Sequence, residues 1–271
     1  MSNNFLQSFD LQNRKVYDDF ADIYEAYVRY EKGYDKEFVK GLDEEFKKHE
    51  KETISSIKII LDCASGPGNP GLGLAELGYG VYCCDLSPKM TEKIRKNDIN
   101  GQLKDVRVAS WYNLREEYSG IQFDAVVCAC NAVFHIPSDS EFQNVLENMH
   151  SVLKDGGICY IDYLNVKNDY NHHCKRVDGF SEFQQGRNFY ITFRTYNFDE
   201  AKRWMTFTYY FGRDDGKGKI HSWLEVPVEG RPILTEDIRD LAIASGFSKV
   251  KTKGVKRLGI FAEFNAIIAI K

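Results

Sequence analysis

The sequence predicts an α/β protein built around a doubly wound parallel sheet. Apolar runs of strand length alternate with helical patterns over residues 57–165, and the turn after the first run reads Gly66-Pro67-Gly68-Asn69-Pro70-Gly71. This alternation is typical of βαβ units, whose parallel strands are covered by helices on both faces. Beyond residue 165 the pattern changes to β-rich runs without a helix between them. That change predicts an antiparallel insertion.

Composition points to a globular protein with a small-molecule partner. The chain has 271 residues, 43% of them hydrophobic and 14% aromatic, which suits one large domain or a core domain with an insertion. Its 36 Lys and Arg against 40 Asp and Glu leave a formal net charge of −4, which disfavours a nucleic-acid partner. The sequence shows no signal-peptide core and no apolar run of membrane length, so we expect a cytoplasmic protein without a membrane contact.

Cysteine usage indicates free thiols. Seven cysteines make an odd number, and most lie in stretches predicted to be buried strands or strand ends. This usage is typical of a reducing compartment. We expect no metal, because Cys128 and Cys130 lack a second pair at ligand spacing. His172-His173-Cys174 is interpreted as a solvated loop, with a metal site as the alternative.

The first elements follow from apolar spacing and turn residues. Phe38, Leu42 and Phe46 recur every four residues and predict one helix. A strand over 57–63 and a helix over 70–77 form the first βα unit, in which Pro70 suits a first helical turn. Further strands are predicted over 79–85, 106–110, 123–130 and 157–164.

The best-marked helix follows the fourth strand. Ser138 and Glu141 fit a capping box, and apolar residues keep helical spacing until Gly156. Thr235 is predicted to cap a later helix. The β-rich runs are 188–198, 203–212 and 219–228, and the closing strands are 249–255 and 261–270. We divide the chain into an N-terminal lid and helix (1–50), a core (51–165 and 230–271) and a substrate cap (166–229).

Polar residues cluster at the carboxyl ends of the predicted strands, where doubly wound sheets bind ligands. Asp85 follows Gly66 by nineteen residues, a spacing at which an acid accepts hydrogen bonds from ribose hydroxyls. Asp62 lies between the first strand and the glycines, where a carboxylate repels a pyrophosphate but favours an ammonium group. A dinucleotide and S-adenosylmethionine are the two ligands to distinguish.

Several motifs carry a family resemblance. LDCASGPG and CCDLSPKM resemble the first two motifs of class I S-adenosylmethionine-dependent methyltransferases, and FDAVVCACNAVFHI with VLKDGGICYID resembles their later strands. The resemblance covers roughly residues 55–163. Within this class, ASWYNL and GGICYIDYLN are similar to glycine and sarcosine N-methyltransferases. The resemblance implies a Rossmann-like seven-stranded sheet, S-adenosyl-L-methionine as cofactor and a small-molecule methyl acceptor.

The resemblance also implies a set of site residues. Asp85 would bind the ribose, Ser110 and Trp111 would flank the adenine, and His135 would approach the methionine portion and the substrate. Trp111 as a core residue and His135 as a structural donor are the alternatives. The cofactor-binding positions carried over are Asp62, Ala64, Ser65, Gly66, Gly68, Asp85, Leu86, Met90, Ser110, Trp111, Ala129, Asn131 and His135.

The N-terminal stretch VYDDFADIYEAYVRY resembles the lid helix of small-molecule methyltransferases. Tyr17, Tyr24 and Arg29 are expected to reach the cofactor or the substrate. The alternative is a tyrosine stripe packed on the sheet. The insertion residues expected to form the other wall of the site are Tyr190, Arg194, Trp204, Tyr209 and Trp223, and alternation along each strand lets only half of them face it. As catalytic groups we expect His135 to act as the base that keeps an amine neutral, with Tyr17 and Tyr24 holding the acceptor by hydrogen bonds.

One position departs from the pattern of the glycine enzymes. Leu164 stands where the resemblance expects an arginine, and leucine cannot form the bidentate pair that holds a carboxylate. Glycine is therefore doubtful as the acceptor unless Lys167, Arg187 or Arg194 supplies a charge from another direction.

Small-molecule N-methylation is favoured, and the oligomeric state stays open. The alternatives are O- or S-methylation, tRNA methylation, an NAD-dependent oxidoreductase, or a protein that binds S-adenosylmethionine without catalysis.

Overall fold

The computed structural model describes residues 3–32, 36–165, 176–199, 201–214, 216–255 and 264–271, with side chains described there except at 3–8, 29–32 and 176–180. Two helices come first: α1 (Asn3–Lys32), kinked at Phe20, and α2 (Lys36–Thr53). The predicted stripe Phe38, Leu42 and Phe46 is buried in α2. Because these residues share one face, α2 packs on the core sheet.

The core alternates strands and helices as predicted. In chain order it contains β1 (Ile59–Cys63), α3 (Gly71–Glu76), β2 (Gly80–Asp85), α4 (Pro88–Asn97), β3 (Asp105–Val108), α5 (Leu114–Glu117), β4 (Phe123–Cys128), α6 (Asp139–Val152) and β5 (Leu153–Leu164). Short 3₁₀ helices, Trp111–Asn113 and Ala132–His135, follow β3 and β4.

An antiparallel sheet of four strands follows β5, and its order is that of the chain. The strands are β6 (Arg176–Gln185), β7 (Asn188–Asp199), β8 (Trp204–Asp214) and β9 (Ile220–Gly230). This insertion sheet confirms the predicted antiparallel insertion, with one strand more than the three predicted runs. The extra strand β6, RVDGFSEFQQ, has few of the apolar residues on which the strand prediction depended.

The chain returns to the core through α7 (Thr235–Ala244), β10 (Lys249–Val255) and β11 (Phe264–Ile270). The core sheet then has seven strands in the order β10-β11-β5-β4-β1-β2-β3. Strands β1 to β5 are parallel, and β11 is antiparallel to both of its neighbours. The predicted Rossmann-like seven-stranded sheet is therefore confirmed, and β5, β4 and β1 lie at its centre.

Two predicted helix ends need correction. Ser138 caps α6 by accepting the N–H of Glu141 at 3.2 Å, but the helix ends at Val152 and not at Gly156. Leu153 already pairs with Phe123 of β4 because its fully buried side chain belongs to the core. The residue before α7 is Leu234, without a side-chain cap. Thr235 instead accepts the hydroxyl of Tyr163 at 2.8 Å.

The insertion sheet meets the core at one tight contact. A Cβ on Gly230, at the end of β9, would lie 2.1 Å from the backbone oxygen of Phe134. That oxygen accepts the N–H of Arg231 at 3.0 Å, and the rings of Phe134 and Phe207 lie 5.0 Å apart. The 3₁₀ helix Ala132–His135 is thereby fixed against the insertion sheet.

Membrane insertion through a helix finds no support in the part of the chain that the structure describes. None of the helices there has both the length and the apolarity needed to cross a bilayer.

Candidate active site

A large cavity lies at the carboxyl ends of the parallel strands. It measures about 1370 Å³ including its open mouth, and it is bounded by the core sheet, by α1 and by the insertion sheet. Thirteen of the predicted site residues line it: Tyr17, Tyr24, Ala64, Ser65, Gly66, Asp85, Leu86, Met90, Ser110, Trp111, Ala129, Asn131 and His135.

Three predicted residues do not appear in this lining. Gly68 lies behind the turn with φ +111, and a Cβ there would lie 2.6 Å from Leu72, so this glycine allows α3 to pack. Asp62 is fully buried below the turn. The side chain of Arg29 lies outside the described residues.

The glycine turn after β1 is shaped by its backbone. Ala64 has φ +66 and Gly66 has φ +54, a left-handed conformation that favours glycine. The N–H of Ser65 donates to Cys84 at 2.9 Å, and its hydroxyl donates to the carbonyl of Asp62 at 2.7 Å. The first bond fastens the turn to β2 and the second to the end of β1, while Ala64, Ser65 and Gly66 line the cavity.

Asp85 is held by two backbone donors. Its Oδ2 accepts the N–H of Gly66 at 2.8 Å and its Oδ1 accepts the N–H of Ser87 at 2.9 Å. Burial raises its pKa to about 6, although both N–H groups act in the opposite direction. The carboxylate is therefore ionised at neutral pH. Each oxygen keeps a lone pair that can accept a hydroxyl of a ligand.

Asp62 contributes charge from below the turn. Its Oδ2 accepts the N–H of Gly71 at 2.9 Å, and its buried Oδ1 has no hydrogen-bond partner. Burial raises its pKa to about 7. Since Asp62 does not line the cavity, its influence on a ligand passes through the turn above it.

The loop after β4 has an unusual backbone. Cys130 and Asn131 have φ +64 and +63, which is costly for residues with side chains. Asn131 donates its N–H to Asp162 at 3.1 Å and accepts the N–H of Leu164 with its Oδ1 at 2.9 Å. The ends of β4 and β5 are thus joined, and His135 follows within the same loop.

Tyr17 and His135 form a pair across the cavity. The hydroxyl of Tyr17 lies 2.9 Å from Nε2 of His135. Burial lowers the pKa of His135 to about 4, partly opposed by a hydrogen bond with the backbone of Glu229. Burial also raises the pKa of Tyr17 well above its ordinary value. At neutral pH both groups are uncharged, and the tautomer of His135 decides which of the two donates the hydrogen bond.

The insertion sheet supplies an aromatic wall. Arg194, Tyr196, Phe207 and Tyr209 alternate along β7 and β8, so that they face the same side and line the cavity. Leu164 and Phe264 line it from the core. Of the insertion residues expected there, Trp223 is 55% exposed on the outer face, and Tyr190 and Trp204 are absent from the lining.

One buried cation lies in this wall. Arg194 is 8% exposed and lines the cavity, whereas Leu164, at the position where an arginine was expected, is apolar. Arg187 is absent from the lining, and Lys167 lies outside the described residues.

Helix α1 covers the cavity and is attached on two sides. Towards α4, Lys93 binds Asp22 at 2.7 Å and Glu25 at 2.9 Å, and Asp18 accepts the hydroxyl of Ser87. Towards the insertion sheet the contacts are aromatic, with the Phe20 and Tyr209 rings 6.0 Å apart. The attachment to the core is therefore mainly polar and the attachment to the insertion is apolar.

Four lining residues of α1 were missed from the sequence: Asp10, Asn13, Arg14 and Val28. A signal exists for three of them, Asp10, Arg14 and Val28. Positions 10, 14, 17, 21, 24 and 28 alternate in steps of four and three, the spacing of one helical face. The prediction followed only the tyrosines on this face, because polar residues near a helix start are usually solvated.

The arrangement defines a class of ligand site. A glycine turn after β1, facing an ionised acid at the end of β2, is suited to a ligand that contains a ribose. The apolar side chains of Leu86, Met90 and Trp111 line the same cavity. The described residues could thus hold a nucleoside, with an aromatic chamber next to it.

Comparisons with known proteins find similarity to methyltransferases in the core of the chain. Residues 60–157 match a family model described as a methyltransferase domain. The chain is 31% identical over 129 residues to a glycine/sarcosine N-methyltransferase of Parasynechococcus marenigrum, which covers 47% of this chain and 43% of that protein. It is 32% identical over 117 residues to a glycine N-methyltransferase of Mus musculus, covering 39% and 40%. The match thus spans less than half the length of these relatives.

Solved structures agree over nearly the whole chain. An S-adenosylmethionine-dependent methyltransferase of Clostridium acetobutylicum superposes with a TM-score of 0.69 at 18% identity, covering 94% of this chain and 98% of that one. An amino pentose methyltransferase of Micromonospora echinaspora, solved with S-adenosylmethionine, gives 0.71 at 16% identity, covering 90% and 96%. At these identities the likeness concerns the fold. Residues 60–157 thus match a methyltransferase domain, and the chain as a whole shares the fold of S-adenosylmethionine-dependent methyltransferases.

Proposed function

We propose that this protein transfers the methyl group of S-adenosylmethionine to the nitrogen of a small amine. The observation that carries the proposal is the continuity of the cavity. One enclosed space joins Asp85 and the glycine turn to the Tyr17–His135 pair and then to the aromatic wall. A ribose-bearing cofactor and a small acceptor can therefore occupy it side by side.

The described residues fit the cofactor. Asp85 would accept the ribose hydroxyls, the turn Ala64 to Gly66 would border the amino-acid part, and Leu86, Met90 and Trp111 would surround the base. When bound, S-adenosylmethionine supplies a methyl group on a positively charged sulfur, and its displacement needs no protonated leaving group. The protein therefore has mainly to align the acceptor and exclude water.

Tyr17 and His135 would orient the acceptor. In the tautomer of His135 whose Nε2 carries no hydrogen, the hydroxyl of Tyr17 donates to Nε2, and lone pairs on the Tyr17 oxygen can accept an N–H of the amine. Because the pKa of His135 is lowered to about 4, its imidazole is neutral but weakly basic. We therefore assign it the positioning of Tyr17 more than the removal of a proton from an ammonium ion.

Arg194 supports an acceptor that also carries a carboxylate. Its guanidinium lies buried in the wall opposite the core, and guanidinium groups bind carboxylates in a bidentate geometry. The relatives' names refer to glycine and sarcosine, which are such amines. Aromatic neighbours such as Tyr196 and Phe207 favour a larger apolar body on the acceptor.

The test is a methyl-transfer assay with mass-spectrometric detection of the product. Purified protein is incubated with S-adenosylmethionine and with glycine, sarcosine, larger amino acids and their amides, amino sugars, and hydroxyl and thiol compounds. We expect an N-methylated product with at least one amine and none with Asp85→Ala. Cofactor binding without turnover on any amine, or a product methylated on oxygen or sulfur, would refute the proposal.

Other expectations stay predictions. They are the cytoplasmic location, the absence of nucleic-acid and membrane partners, a homo-oligomer, and the division into lid, core and substrate cap. The apolar attachment of α1 to the insertion sheet supports treating these two parts as the cover of the site.

A further inference from the structure

The cavity has a polar end formed partly by the first helix. Asp10 and Asn13 of α1 line it together with Ser110 and Trp111, which follow β3. Asn13 is 8% exposed, and Asp10 is half-buried. Asp10 and Asn13 lie outside the motifs that carry the family resemblance, which begin at LDCASGPG.

The order of the strands shows which part of a nucleoside ligand lies at this end. In the sheet, β2 lies between β1 and β3. With the ribose at Asp85 after β2 and the amino-acid part at the turn after β1, the base extends towards β3. Asp10 and Asn13 share the lining of the cavity with Ser110 and Trp111 at the end of β3, which puts this part of α1 on the side of the base. The contribution of the negative charge of Asp10 to the raised pKa of Tyr112, beside Trp111, agrees with this position.

The lining residues at this end differ in whether they donate or accept hydrogen bonds. A carboxylate only accepts hydrogen bonds, whereas an amide such as Asn13 both donates and accepts. The oxygen of Ser110 already accepts the N–H of Tyr112 at 3.3 Å. Burial, with a smaller contribution from Glu141, raises the pKa of Asp10 to about 6, so that this side chain is an ionised acceptor at neutral pH.

Purine bases differ in the group that such an acceptor meets. Adenine presents an exocyclic amino group, which donates. Hypoxanthine carries a carbonyl oxygen at the same position, which accepts and would face the carboxylate without a hydrogen between them. A buried polar group that loses its partner is costly, so one carboxylate can discriminate between the two bases.

We infer that Asp10 reads the exocyclic amino group of the cofactor's base, which makes the covering helix α1 a determinant of base specificity. The inference rests on the proposed function, since it requires a bound adenosyl ligand. It differs from the role of Asp85, which concerns the ribose and is shared by any nucleoside.

The test compares two ligands by calorimetry: S-adenosylhomocysteine and its deaminated form, S-inosylhomocysteine. The variants are Asp10→Asn and Asp10→Ala. The matched control is Asp19→Asn, on the same helix, where the carboxylate is 63% exposed and pairs only with Lys15 among the described residues. Circular dichroism and thermal unfolding check that each variant folds like the wild type.

We expect the wild type to prefer the adenosyl ligand by about tenfold to a hundredfold, as for a hydrogen bond to a charged group. Asp10→Asn, whose amide can donate to the carbonyl of hypoxanthine, should shrink or invert that preference, Asp10→Ala should abolish most of it, and Asp19→Asn should keep it. An unchanged preference in both Asp10 variants would overturn the inference while leaving the proposed function standing. Failure of the wild type to bind S-adenosylhomocysteine would overturn both.

Discussion

The two ends of the cavity are built in different ways. At the cofactor end the shape comes from backbone: the turn at Ala64 and Gly66, fastened to β2 and to Asp85 by hydrogen bonds of 2.7–2.9 Å. At the acceptor end it comes from side chains of the insertion sheet and α1, such as Arg194, Tyr209 and Tyr17. The comparison teaches that substitutions at the acceptor end can change specificity without disturbing the sheet, whereas the cofactor end tolerates little change.

Loss of the carboxylate at Asp85 should have the largest effect. Asp85→Ala removes the acceptor of two backbone N–H groups as well as the ribose contact, so we expect S-adenosylmethionine binding to weaken by about a hundredfold or more. Calorimetry measures it, with Asp105→Ala on the surface end of β3 as control. Affinity within about threefold of wild type would contradict the assignment of this end to the cofactor.

Removal of the Tyr17 hydroxyl should affect the acceptor end of the cavity and spare the cofactor end. Tyr17→Phe loses the bond to His135 and the acceptor for the amine, so we expect kcat to fall about tenfold to a hundredfold with cofactor affinity nearly unchanged. Steady-state kinetics and calorimetry together check this. Tyr210→Phe, on the outer face of the insertion sheet, is the matched control. A parallel loss of cofactor affinity would place Tyr17 with the cofactor instead.

Removal of the positive charge of Arg194 tests whether the acceptor end of the cavity recognises a carboxylate. Arg194→Gln should raise KM for amines that carry a carboxylate by about tenfold or more and leave KM for their amides nearly unchanged. The control is Arg187→Gln, outside the lining. Equal effects on both kinds of substrate would argue for a packing role of Arg194.

A larger residue at Gly230 tests how tightly the insertion sheet packs against the loop that carries His135. In Gly230→Ala the new methyl group would lie 2.1 Å from the backbone oxygen of Phe134, so the free energy of unfolding should fall by about 1–3 kcal/mol. Urea denaturation measures it. Gly254→Ala, with no atom within 4 Å of its Cβ, is the control. A tolerated Gly230→Ala would mean that the loop with His135 can move independently of the insertion.

The smallest effect concerns pH and Asp62. Its pKa is raised to about 7 by burial, so the folded state holds this proton more tightly than the unfolded state, and the free energy of unfolding falls as pH rises towards 7. Asp62→Asn cannot ionise and lacks this contribution. The free energy of unfolding of the variant minus that of the wild type should therefore rise by about 1–2 kcal/mol when the pH goes from about 5 to about 7.5. Urea denaturation at the two pH values measures this difference. A constant difference at both pH values would show that Asp62 titrates normally.

The cofactor end of the cavity could be predicted from short sequence patterns. The glycine turn, Asp85 and the strand ends were predictable because each lies within one βα unit, whose geometry fixes the neighbours. The pair Tyr17 and His135 joins residues 118 positions apart, and each was named only through the resemblance. That they bind each other depends on how α1 packs, which no local pattern encodes.

The acceptor wall was predictable only in part. Alternation along β7 and β8 predicted that half of the residues face inward, yet only the fold shows that Arg194 and Tyr209 do while Trp223 faces out. Asp10 was missed because an acid near the start of a helix is usually solvated, and its burial arises from packing beside Tyr112.

The left-handed backbone at Ala64, Cys130 and Asn131 has a consequence for protein engineering. A screen for heat-resistant variants would select glycine at Ala64 and Cys130, because glycine adopts this conformation without strain, whereas glycine at Asn131 would lose the bond from the N–H of Leu164. The first two variants would gain thermal tolerance and lose the rigidity of the loops that border the cavity. Selection for turnover and selection for heat resistance should therefore choose opposite residues at Ala64 and Cys130.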